Sequence, residues 1–239
     1  SARRLLHNLA LLRLRPEDIE GIFVTHEHID HIRGIGTLAR KLKIPVLATP
    51  KLWAAMSGTI GPLADEQIVQ ISPEIPIEIG GLEVKLFPTS HDSVESFGLK
   101  ITRYRDGEAP LTLGIATDSG MITEEMHRQL CGCDALIVEA NHDRDMLLNG
   151  RYPWYLKKRI MSERGHLENR QLGEALCQWV AERTQKVILA HLSEENNTPE
   201  LALKTIVEML KDAKIDKKNP GLRLRVAPRH LPHELVRIG

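Results

Sequence analysis

Four residues with metal-binding side chains lie close together in the segment THEHIDH, residues 25 to 31. His26 and His28 are two residues apart, so in an extended segment both imidazoles project to the same side and can hold one ion. Asp30 and His31 follow where a helix-like stretch begins, and the turning chain can direct them to a second, nearby point. Neutral imidazole and carboxylate groups suit zinc, and also manganese or iron.

Residues of the same types follow five apolar, strand-like runs, each at the point where the run ends. The carboxyl ends of strands that run in similar directions meet at one edge of a sheet, where the following loops point side chains into a common crevice. A single histidine after a strand is also compatible with a surface or hydrogen-bonded position. The five residues are His26, His91, Asp118, His142 and His191.

The HxHxDH pattern favours metal binding, because so many ligand-type residues would otherwise form a crowded, poorly paired polar turn beside a core strand. Two metal ions need about seven or eight protein ligands, often with one carboxylate that contacts both ions. Asp118 is the expected bridge because a carboxylate has two oxygens, and Glu27 and Ile29 are expected to be spacers. The predicted ligands are His26, His28, Asp30, His31, His91, Asp118 and His191.

Alternating strands and helices must position these residues. Strands are predicted over residues 21–25, 44–49, 82–90, 97–105, 111–118, 134–141, 186–192 and 222–228. Helices are predicted over residues 32–43, 50–56, 123–129, 155–163, 169–184 and 199–213. The segment RDGEAP, residues 105 to 110, has the composition of a hairpin loop. This order predicts a mixed α/β fold, in one domain over residues 1–239.

Composition narrows the class of protein. The chain has 239 residues, 42% of them hydrophobic, which is enough to bury a core. Lys plus Arg (32) balances Asp plus Glu (32), so no global field indicates a nucleic-acid coat or a membrane-surface protein, although a local basic groove is compatible. Three cysteines without disulfide spacing favour a reducing compartment, and we expect the cytoplasm. No apolar stretch approaches the roughly 20 residues of a membrane span.

The segments THEHIDH, PTSHDS, ATDSG and LAHLS, in this order, resemble the motifs of the metallo-β-lactamase superfamily. The resemblance runs from about Asp18 to the C-terminus and implies a four-layer αβ/βα sandwich with its site at one sheet edge. Members begin with two or three strands before the first motif, so it also implies that this chain lacks its N-terminal strands. Two metal ions are implied, one held by His26, His28 and His91, the other by Asp30, His31 and His191, with Asp118 bridging.

A narrower resemblance, to the YycJ/WalJ branch, comes from EANHDRDML, GRYPWYLKKRI, GHLEN and AHLSEENNTPELA. That branch is associated with 5′-to-3′ exonuclease activity on DNA. The implied function is a dinuclear metal-dependent phosphodiesterase acting through a metal-bridging hydroxide, since two cations lower the pKa of bound water toward neutrality. Two alternatives stay open: a hydrolase of thioesters, lactones or other small acyl substrates, and a metal-bound regulatory or binding module without catalysis.

Protonation of the leaving group needs a further acid, which two histidines outside the ligand set could supply. We expect His166 to act as this acid or to contact phosphate, and His142 to support it or to contact substrate. A helix cap or a loop hydrogen bond is an equally good explanation for either residue. With Asp30, these two histidines are the candidate catalytic residues.

Basic and aromatic residues alternate in GRYPWYLKKRI, residues 150 to 160. Arg151 and Lys158 are candidate contacts to a DNA backbone, and the aromatic rings could stack on an unpaired base. The alternative is an amphipathic helix with a solvated basic face and its aromatic side in the core. The segment HLSEENN adds three residues that could donate to phosphate or simply begin a helix: Ser193, Asn196 and Asn197.

Overall fold

Two β-sheets lie face to face at the centre of the fold. The computed structural model describes the whole chain, Ser1–Gly239. The small sheet has three parallel strands: β1 (Ile22–Phe23), β2 (Val46–Ala48) and β3 (Ile68–Gln70). The large sheet has seven strands: β4 (Ile77–Ile79), β5 (Leu82–Pro88), β6 (Phe97–Arg105), β7 (Glu108–Ala116), β8 (Ala135–Glu139), β9 (Lys186–Ala190) and β10 (Arg223–Val226).

The strand directions of the large sheet determine where its loops meet. The strand order is β10-β9-β8-β7-β6-β5-β4. Strands β4 to β7 form an antiparallel meander, whereas β7, β8, β9 and β10 are parallel. Strands β5, β7, β8 and β9 therefore run in the same direction, and their carboxyl ends meet at one edge of the sheet.

Helices cover the outer faces of both sheets. They are α1 (Ala2–Leu11), α2 (Ile29–Ile32), α3 (Ile35–Leu42), α4 (Pro50–Ile60), α5 (Glu124–Leu130), α6 (Arg144–Asn149), α7 (Trp154–Ile160), α8 (Asn169–Trp179), α9 (Pro199–Asp212) and α10 (Ile215–Lys218). None of these helices combines the length and the apolar character that crossing a lipid bilayer requires.

Two hydrophobic clusters hold the layers together. One joins α3, α4 and β2 to the face of the large sheet that carries Val84 and Leu86. The other joins the opposite face, which carries Leu136 and Val138, to α5, α8 and α9. Burial of one such leucine side chain stabilises the fold by roughly 1.5 to 3 kcal/mol. The layer order of helix, sheet, sheet, helix confirms the predicted four-layer αβ/βα sandwich.

Several element boundaries differ from the prediction. The helix predicted over residues 32–43 is the shorter α3, and a separate short helix, α2, precedes it, with the break at Arg33 and Gly34. A Cβ on Gly34 would lie 2.8 Å from the backbone nitrogen of Ala2. The start of α1 therefore packs closely against the backbone at Gly34. Strands β3 and β4 have three residues each, too short to show an alternating pattern, and were not predicted. The hairpin turn between β6 and β7 is confirmed, with Gly107 at φ +72°.

Asp134, just before β8, is expected to stabilise the fold at the end of the sheet remote from the converging loops. Its buried carboxylate accepts hydrogen bonds from the N–H and hydroxyl of Thr112, at 2.7 and 2.9 Å, and from the Arg183 guanidinium, at 2.8 and 3.0 Å. Burial opposes ionisation, but these hydrogen bonds outweigh it and hold the pKa of Asp134 below its usual range. We expect Asp134→Asn to lower the free energy of unfolding by about 1 to 2 kcal/mol at pH 7, measured by urea titration.

The pH dependence of this difference tests its cause. Because the pKa of Asp134 is lower in the folded state than in the unfolded state, its stabilisation is present above the unfolded pKa of about 3.9. The stabilisation is lost as the pH falls through the folded pKa. The gap between wild type and Asp134→Asn should therefore narrow below about pH 4. A gap that stays constant in acid would show that ionisation of Asp134 is not its source.

Candidate metal centre and cleft

Three histidines from two parts of the chain form the first group of metal-binding side chains. His26 follows β1, His28 immediately precedes α2, and His91 follows β5. One ring nitrogen of each lies within 4.8 Å of the others. The Nε2 atom of His91 is 3.2 Å from Nδ1 of His28. The fold thus places together the three histidines that the resemblance assigned to one ion.

In two of these rings, those of His26 and His91, the Nδ1 atom contacts a neighbouring residue, which leaves the Nε2 atom available to a metal ion. His91 Nδ1–H donates to the carbonyl oxygen of Gly165 at 3.0 Å, so its Nε2 carries a lone pair. His26 Nδ1 lies 3.2 Å from the Thr25 hydroxyl, and its Nε2 is buried without a hydrogen-bond partner. Burial, with repulsion from neighbouring imidazoles such as that of His31, lowers the pKa of His26 to about 2. The ring is therefore neutral, as a metal ligand must be.

Asp118 lies between the first group and the remaining predicted ligands. Its Oδ1 is 3.8 Å from His91 Nε2 and 3.4 Å from His191 Nε2, and its Oδ2 is 3.6 Å from His31 Nε2. A carboxylate with oxygens near both groups has the geometry of a bridging ligand. Three further sets of close donor atoms contain Asp118 or lie next to it. They are His26, His31 and Asp118; Asp30, His31 and His191; and Asp118, Glu139, His166 and His191.

Backbone strain is concentrated at two of these residues. Asp118 and His191 have left-handed conformations, with φ of +60° and +56°. Such conformations cost roughly 1 kcal/mol or more in residues other than glycine and persist where the surroundings impose them. The Thr89 hydroxyl donates to the carbonyl oxygen of Asp118 at 3.1 Å, and Asn141 Nδ2 donates to that of His191 at 3.0 Å. Neighbouring strand-end loops therefore hold both side chains at the site.

Glu139, the last residue of β8, is fully buried and binds two histidines of the site. Its Oε1 accepts hydrogen bonds from the Nδ1–H groups of His166, at 2.7 Å, and His191, at 2.8 Å. Its Oε2 accepts from the backbone N–H groups of Ser119 and Leu167, at 3.1 and 3.2 Å. Burial alone would raise the pKa of Glu139, but these hydrogen bonds lower it. The carboxylate thus fixes both rings and leaves each Nε2 free.

The donor atoms fit divalent metal ions. Asp118 Oδ2, like His26 Nε2, is buried without a hydrogen-bond partner, and such atoms are costly unless a cation or donor binds them. Burial alone would lower the pKa of His191, yet the hydrogen bond and charge of Glu139, with the charge of Asp118, raise it to about 9. The charges that favour a proton there also favour a metal cation. Imidazole with carboxylate is a ligand set that suits zinc and manganese.

Restoring metal to stripped protein is expected to stabilise it. Protein treated with EDTA should gain about 2.7 kcal/mol in free energy of unfolding when Zn²⁺ or Mn²⁺ is added at 100 times its Kd, because the ion binds only the folded state. Asp118→Ala should gain much less, since it removes the oxygens between the two groups. Chemical denaturation with and without metal measures both values. Equal gains in the wild type and the variant would contradict the bridging position of Asp118.

A cleft of about 830 Å³ opens beside the donor groups. Asp30, His166 and His191 line it, as does Ser193, one of the predicted substrate contacts. The Ser193 hydroxyl oxygen accepts from the backbone N–H of Asn196 at 3.2 Å, so its own proton is free to donate into the cleft. Five further charged residues form part of the wall: Asp92, Arg159, Glu194, Glu195 and Arg229.

The structure does not bring His142 to the donor groups or to the cleft. His142 is buried, its backbone pairs with that of Glu168, and burial lowers its pKa to about 4. The residue of this strand that reaches the site is Glu139, so the predicted catalytic role of His142 has no geometric basis. Asn197 is also buried, and its Nδ2 donates to the carbonyl oxygen of Ala140 at 2.9 Å. Its amide fastens the end of β8 and is not available to a substrate.

Three other predicted substrate contacts lie outside the cleft wall. Asn196 is fully buried and Arg151 is exposed and paired with Glu195 at 2.6 Å. Lys158 lies over the ring of Trp154, with Nζ 5.8 Å from its centre. Of the five predicted substrate contacts, only Ser193 lines the cleft.

Sequence reasoning missed three functional contacts. Glu27 is not a spacer, because its Oε1 accepts from the backbone N–H of Val94 at 2.9 Å and ties the first motif to the loop after β5. Asp92 accepts from Arg159 Nε at 2.5 Å through one oxygen, while its other oxygen lies 3.6 Å from His91 Nε2. Glu139 ends an otherwise apolar run, and a carboxylate in a buried strand requires partners, so this residue could have been singled out.

The fold and the site together define an αβ/βα sandwich of the metallo-hydrolase type, with its donor groups at one sheet edge. The chain belongs to the family described as the β-lactamase superfamily domain, which matches residues 1–192. It is 38% identical over 199 residues to the exodeoxyribonuclease YycJ of Bacillus anthracis, covering 83% of this chain and 74% of the relative. It is 36% identical over 215 residues to the exodeoxyribonuclease WalJ of Streptococcus pneumoniae, covering 89% and 78%.

Solved structures agree with this assignment at the level of the fold. The metallo-β-lactamase fold protein YhfI of Bacillus subtilis superposes with a TM-score of 0.62 at 18% identity, covering 90% of this chain and 78% of that protein. The resemblance of the four sequence motifs to the superfamily, and of the longer segments to the YycJ/WalJ branch, is confirmed.

Proposed function

We propose that the protein is a metal-dependent nuclease that hydrolyses phosphodiester bonds of DNA from the 5′ end. One observation carries the proposal: a single cleft contains metal-donor side chains, His166 and the two arginines Arg159 and Arg229. Hydrolysis of a phosphodiester requires cations at the phosphoryl oxygens, a proton for the leaving oxygen and positive charge along the backbone. The relatives YycJ and WalJ, each named an exodeoxyribonuclease, support DNA as the substrate class.

Two divalent ions, zinc or manganese, are the proposed cofactors. When bound, such ions supply a Lewis acid for the phosphoryl oxygen and lower the pKa of water toward neutrality. The protein contributes the imidazoles of His26, His31 and His91, whose pKa values burial lowers, and a carboxylate placed to bridge, that of Asp118. The proposed ligands are His26, His28 and His91 for one ion, Asp30, His31 and His191 for the other, and Asp118 for both.

His166 is the proposed source of the leaving-group proton. Its Nδ1–H is bound to Glu139, so Nε2 is the nitrogen that can donate to a substrate oxygen. The buried carboxylate of Glu139 stabilises the protonated imidazolium, which keeps this acid available. Asp30, also on the cleft wall, is proposed as a ligand with a catalytic role through the second ion.

Two groups of the cleft wall, Ser193 and Arg229, are proposed to hold the substrate phosphate. Ser193 has a free hydroxyl proton, and Arg229 is fixed by donating to the carbonyl oxygen of Leu192 at 2.8 Å. Arg159 is paired with Asp92 at 2.5 Å, and Arg229 lies 3.4 Å from Glu194, so each guanidinium is held beside a carboxylate of the wall. Charge-assisted hydrogen bonds of this kind are strongest where the donors are already held in place.

The cleft wall does not favour the acyl-hydrolase alternative. Only 5 of its 17 lining residues are hydrophobic, whereas a small acyl substrate is best bound by an apolar pocket. A regulatory module without catalysis is also disfavoured, because every predicted ligand lies in one of the donor groups. We further propose a cytoplasmic location, in keeping with three free cysteine thiols.

The proposal is tested with metal-reconstituted protein on 3′-labelled, 5′-phosphorylated DNA and RNA, beside a thioester and a lactone. We expect progressive shortening of the DNA from its 5′ end with zinc or manganese, and loss of this activity in Asp118→Ala. Turnover of the thioester or lactone without cleavage of either nucleic acid would overturn the proposal in favour of the acyl-hydrolase alternative.

A further inference from the structure

Asp92, the residue after His91, has a carboxylate oxygen, Oδ1, that is buried without a hydrogen-bond partner. Two other atoms with this property are His26 Nε2 and Asp118 Oδ2. Both of those atoms belong to predicted metal ligands, whereas Asp92 lies outside the predicted set. A buried acceptor is costly unless a cation or a donor binds it. The Oδ1 atom of Asp92 therefore calls for a partner, as the two ligand atoms do.

This oxygen faces the three-histidine group, which consists of His26, His28 and His91. Asp92 Oδ1 is 3.6 Å from His91 Nε2 and 3.9 Å from His28 Nε2. Nitrogen and oxygen atoms that bind one zinc ion lie about 2 Å from it, and so about 3 to 4 Å from one another. Asp92 Oδ1 thus has the spacing of a ligand of the ion that His91 binds.

The other oxygen of Asp92 is held by helix α7. Asp92 Oδ2 accepts a hydrogen bond from Arg159 Nε at 2.5 Å, which leaves Oδ1 on the side of the histidines. A guanidinium is a donor only and cannot bind a metal ion, so Arg159 can hold this carboxylate without competing for the ion. Partners of this kind orient the ligands of metal sites.

The loop that carries Asp92 is fixed on both sides of this residue. Arg164 Nε donates to the carbonyl oxygen of His91 at 3.1 Å, and Arg164 Nη2 donates to that of Ser93 at 3.3 Å. Glu27 Oε1 accepts from the backbone N–H of Val94 at 2.9 Å. The backbone on each side of Asp92 is therefore held in place by remote side chains, which is what a ligand positioned in advance of its ion requires.

The three-histidine group has no carboxylate of its own. Its imidazoles are neutral when they bind a metal ion, and Asp118 is shared with the second group. A carboxylate oxygen from Asp92 would add negative charge beside the first ion. Oxygen ligands also suit Mn²⁺, whereas imidazole nitrogens suit Zn²⁺. The identity of this ligand therefore bears on which metals the site accepts.

We propose that Asp92 binds, through Oδ1, the metal ion of the three-histidine group, and that Arg159 positions this carboxylate. The inference rests on the metal centre of the proposed function and adds one ligand to those proposed there. Its consequence is a first ion position that accepts Mn²⁺ as well as Zn²⁺, because a charged oxygen joins the nitrogen donors.

Asp92→Asn tests this role because the amide has the same shape. With its oxygen bound to Arg159, its NH₂ group faces the histidines and offers no lone pair to a metal ion. Protein is stripped with EDTA, dialysed and titrated with each metal, with free Mn²⁺ followed by electron paramagnetic resonance and Zn²⁺ by competition with a fluorescent chelator. We expect Mn²⁺ affinity to fall at least about tenfold and Zn²⁺ affinity to fall less.

Glu194→Gln is the matched control. Glu194 is another carboxylate of the cleft wall that is paired with an arginine, Arg229, at 3.4 Å. It belongs to none of the donor groups, so its variant removes one negative charge from the wall and should keep the affinity for both metals. Circular dichroism of each metal-free variant confirms that the fold is intact.

The outcomes separate this inference from the nuclease proposal. Equal losses of metal affinity in Asp92→Asn and Glu194→Gln would show an effect of charge alone and overturn it. Unchanged affinity for both metals in Asp92→Asn, with weaker DNA binding, would also overturn it and leave Asp92 only as a support for Arg159. A loss confined to Asp92→Asn, and larger for Mn²⁺ than for Zn²⁺, supports the inference whether or not the metal-loaded protein cleaves DNA.

Discussion

Replacing Glu139 by Gln is expected to weaken divalent-metal binding by about 10- to 100-fold and to lower the free energy of unfolding by about 3 to 5 kcal/mol. The carboxylate accepts four hydrogen bonds, from His166, His191, Ser119 and Leu167, and lies fully buried. An amide of the same shape has one acceptor oxygen and one NH₂ group, so it directs a donor at groups that are themselves donors. Competition with a fluorescent chelator measures the metal affinity, and urea titration measures stability.

Asp134→Asn is the matched control for this variant. Asp134 precedes the same strand that Glu139 ends, and each is a buried carboxylate with several hydrogen bonds. Asp134 contacts none of the donor groups, so its variant should lose stability and keep its metal affinity. If both variants lost metal affinity to the same degree, general loosening of β8 would explain the result, and Glu139 would have no particular role in orienting His191.

The sequence predicted which strand ends carry the site because the directions of the strands follow from their order. His91, Asp118 and His191 were predicted as neighbours from their positions after apolar runs, and parallel alignment of β5, β7 and β9 places them together. Their backbone conformations could not be predicted. The left-handed φ of Asp118 and His191 depends on hydrogen bonds from loops remote in sequence.

His142 follows a strand as predicted, but its position after the strand does not decide whether its side chain reaches the site. The run LIVEAN predicts a strand and a following polar residue, but not which side chain turns toward the site. The backbone N–H of His142 lies 3.4 Å from the carbonyl oxygen of Leu167, so this residue pairs with a distant segment, and it does not line the cleft. The same segment brings His166 in, so a contact between residues far apart in sequence determines which histidine reaches the site.

Substrate contacts were the least predictable part of the site. Arg151 and Lys158 were chosen for charge, yet the basic residue of that segment that lines the cleft is Arg159. The sequence shows that α7 contains basic residues, but not which of them face the cleft. That depends on the rotation of α7 about its axis, which the buried amine of Lys157 fixes. Helical spacing without that anchor leaves the rotation undetermined.

His166→Ala is expected to reduce kcat on DNA by about 10²- to 10⁴-fold, the usual contribution of a general acid. A nitrophenyl phosphodiester should lose much less, because nitrophenolate leaves without a proton. Folding should survive, since the His166 ring is near the surface of the cleft and its main-chain N–H still donates to the carbonyl oxygen of Ile160 at 2.9 Å. Steady-state rates on the two substrates, at saturating metal, measure the difference.

His142→Ala provides the comparison, because His142 is a buried histidine outside the donor groups. It should lose stability through the cavity it leaves and keep the ratio of rates on the two substrates. If His166→Ala lowered the rates on DNA and on the nitrophenyl phosphodiester equally, His166 would not be the general acid, and its role would be that of a phosphate contact. The ratio distinguishes these cases because a missing phosphate contact slows every phosphodiester, whereas a missing proton slows only those whose leaving group needs one.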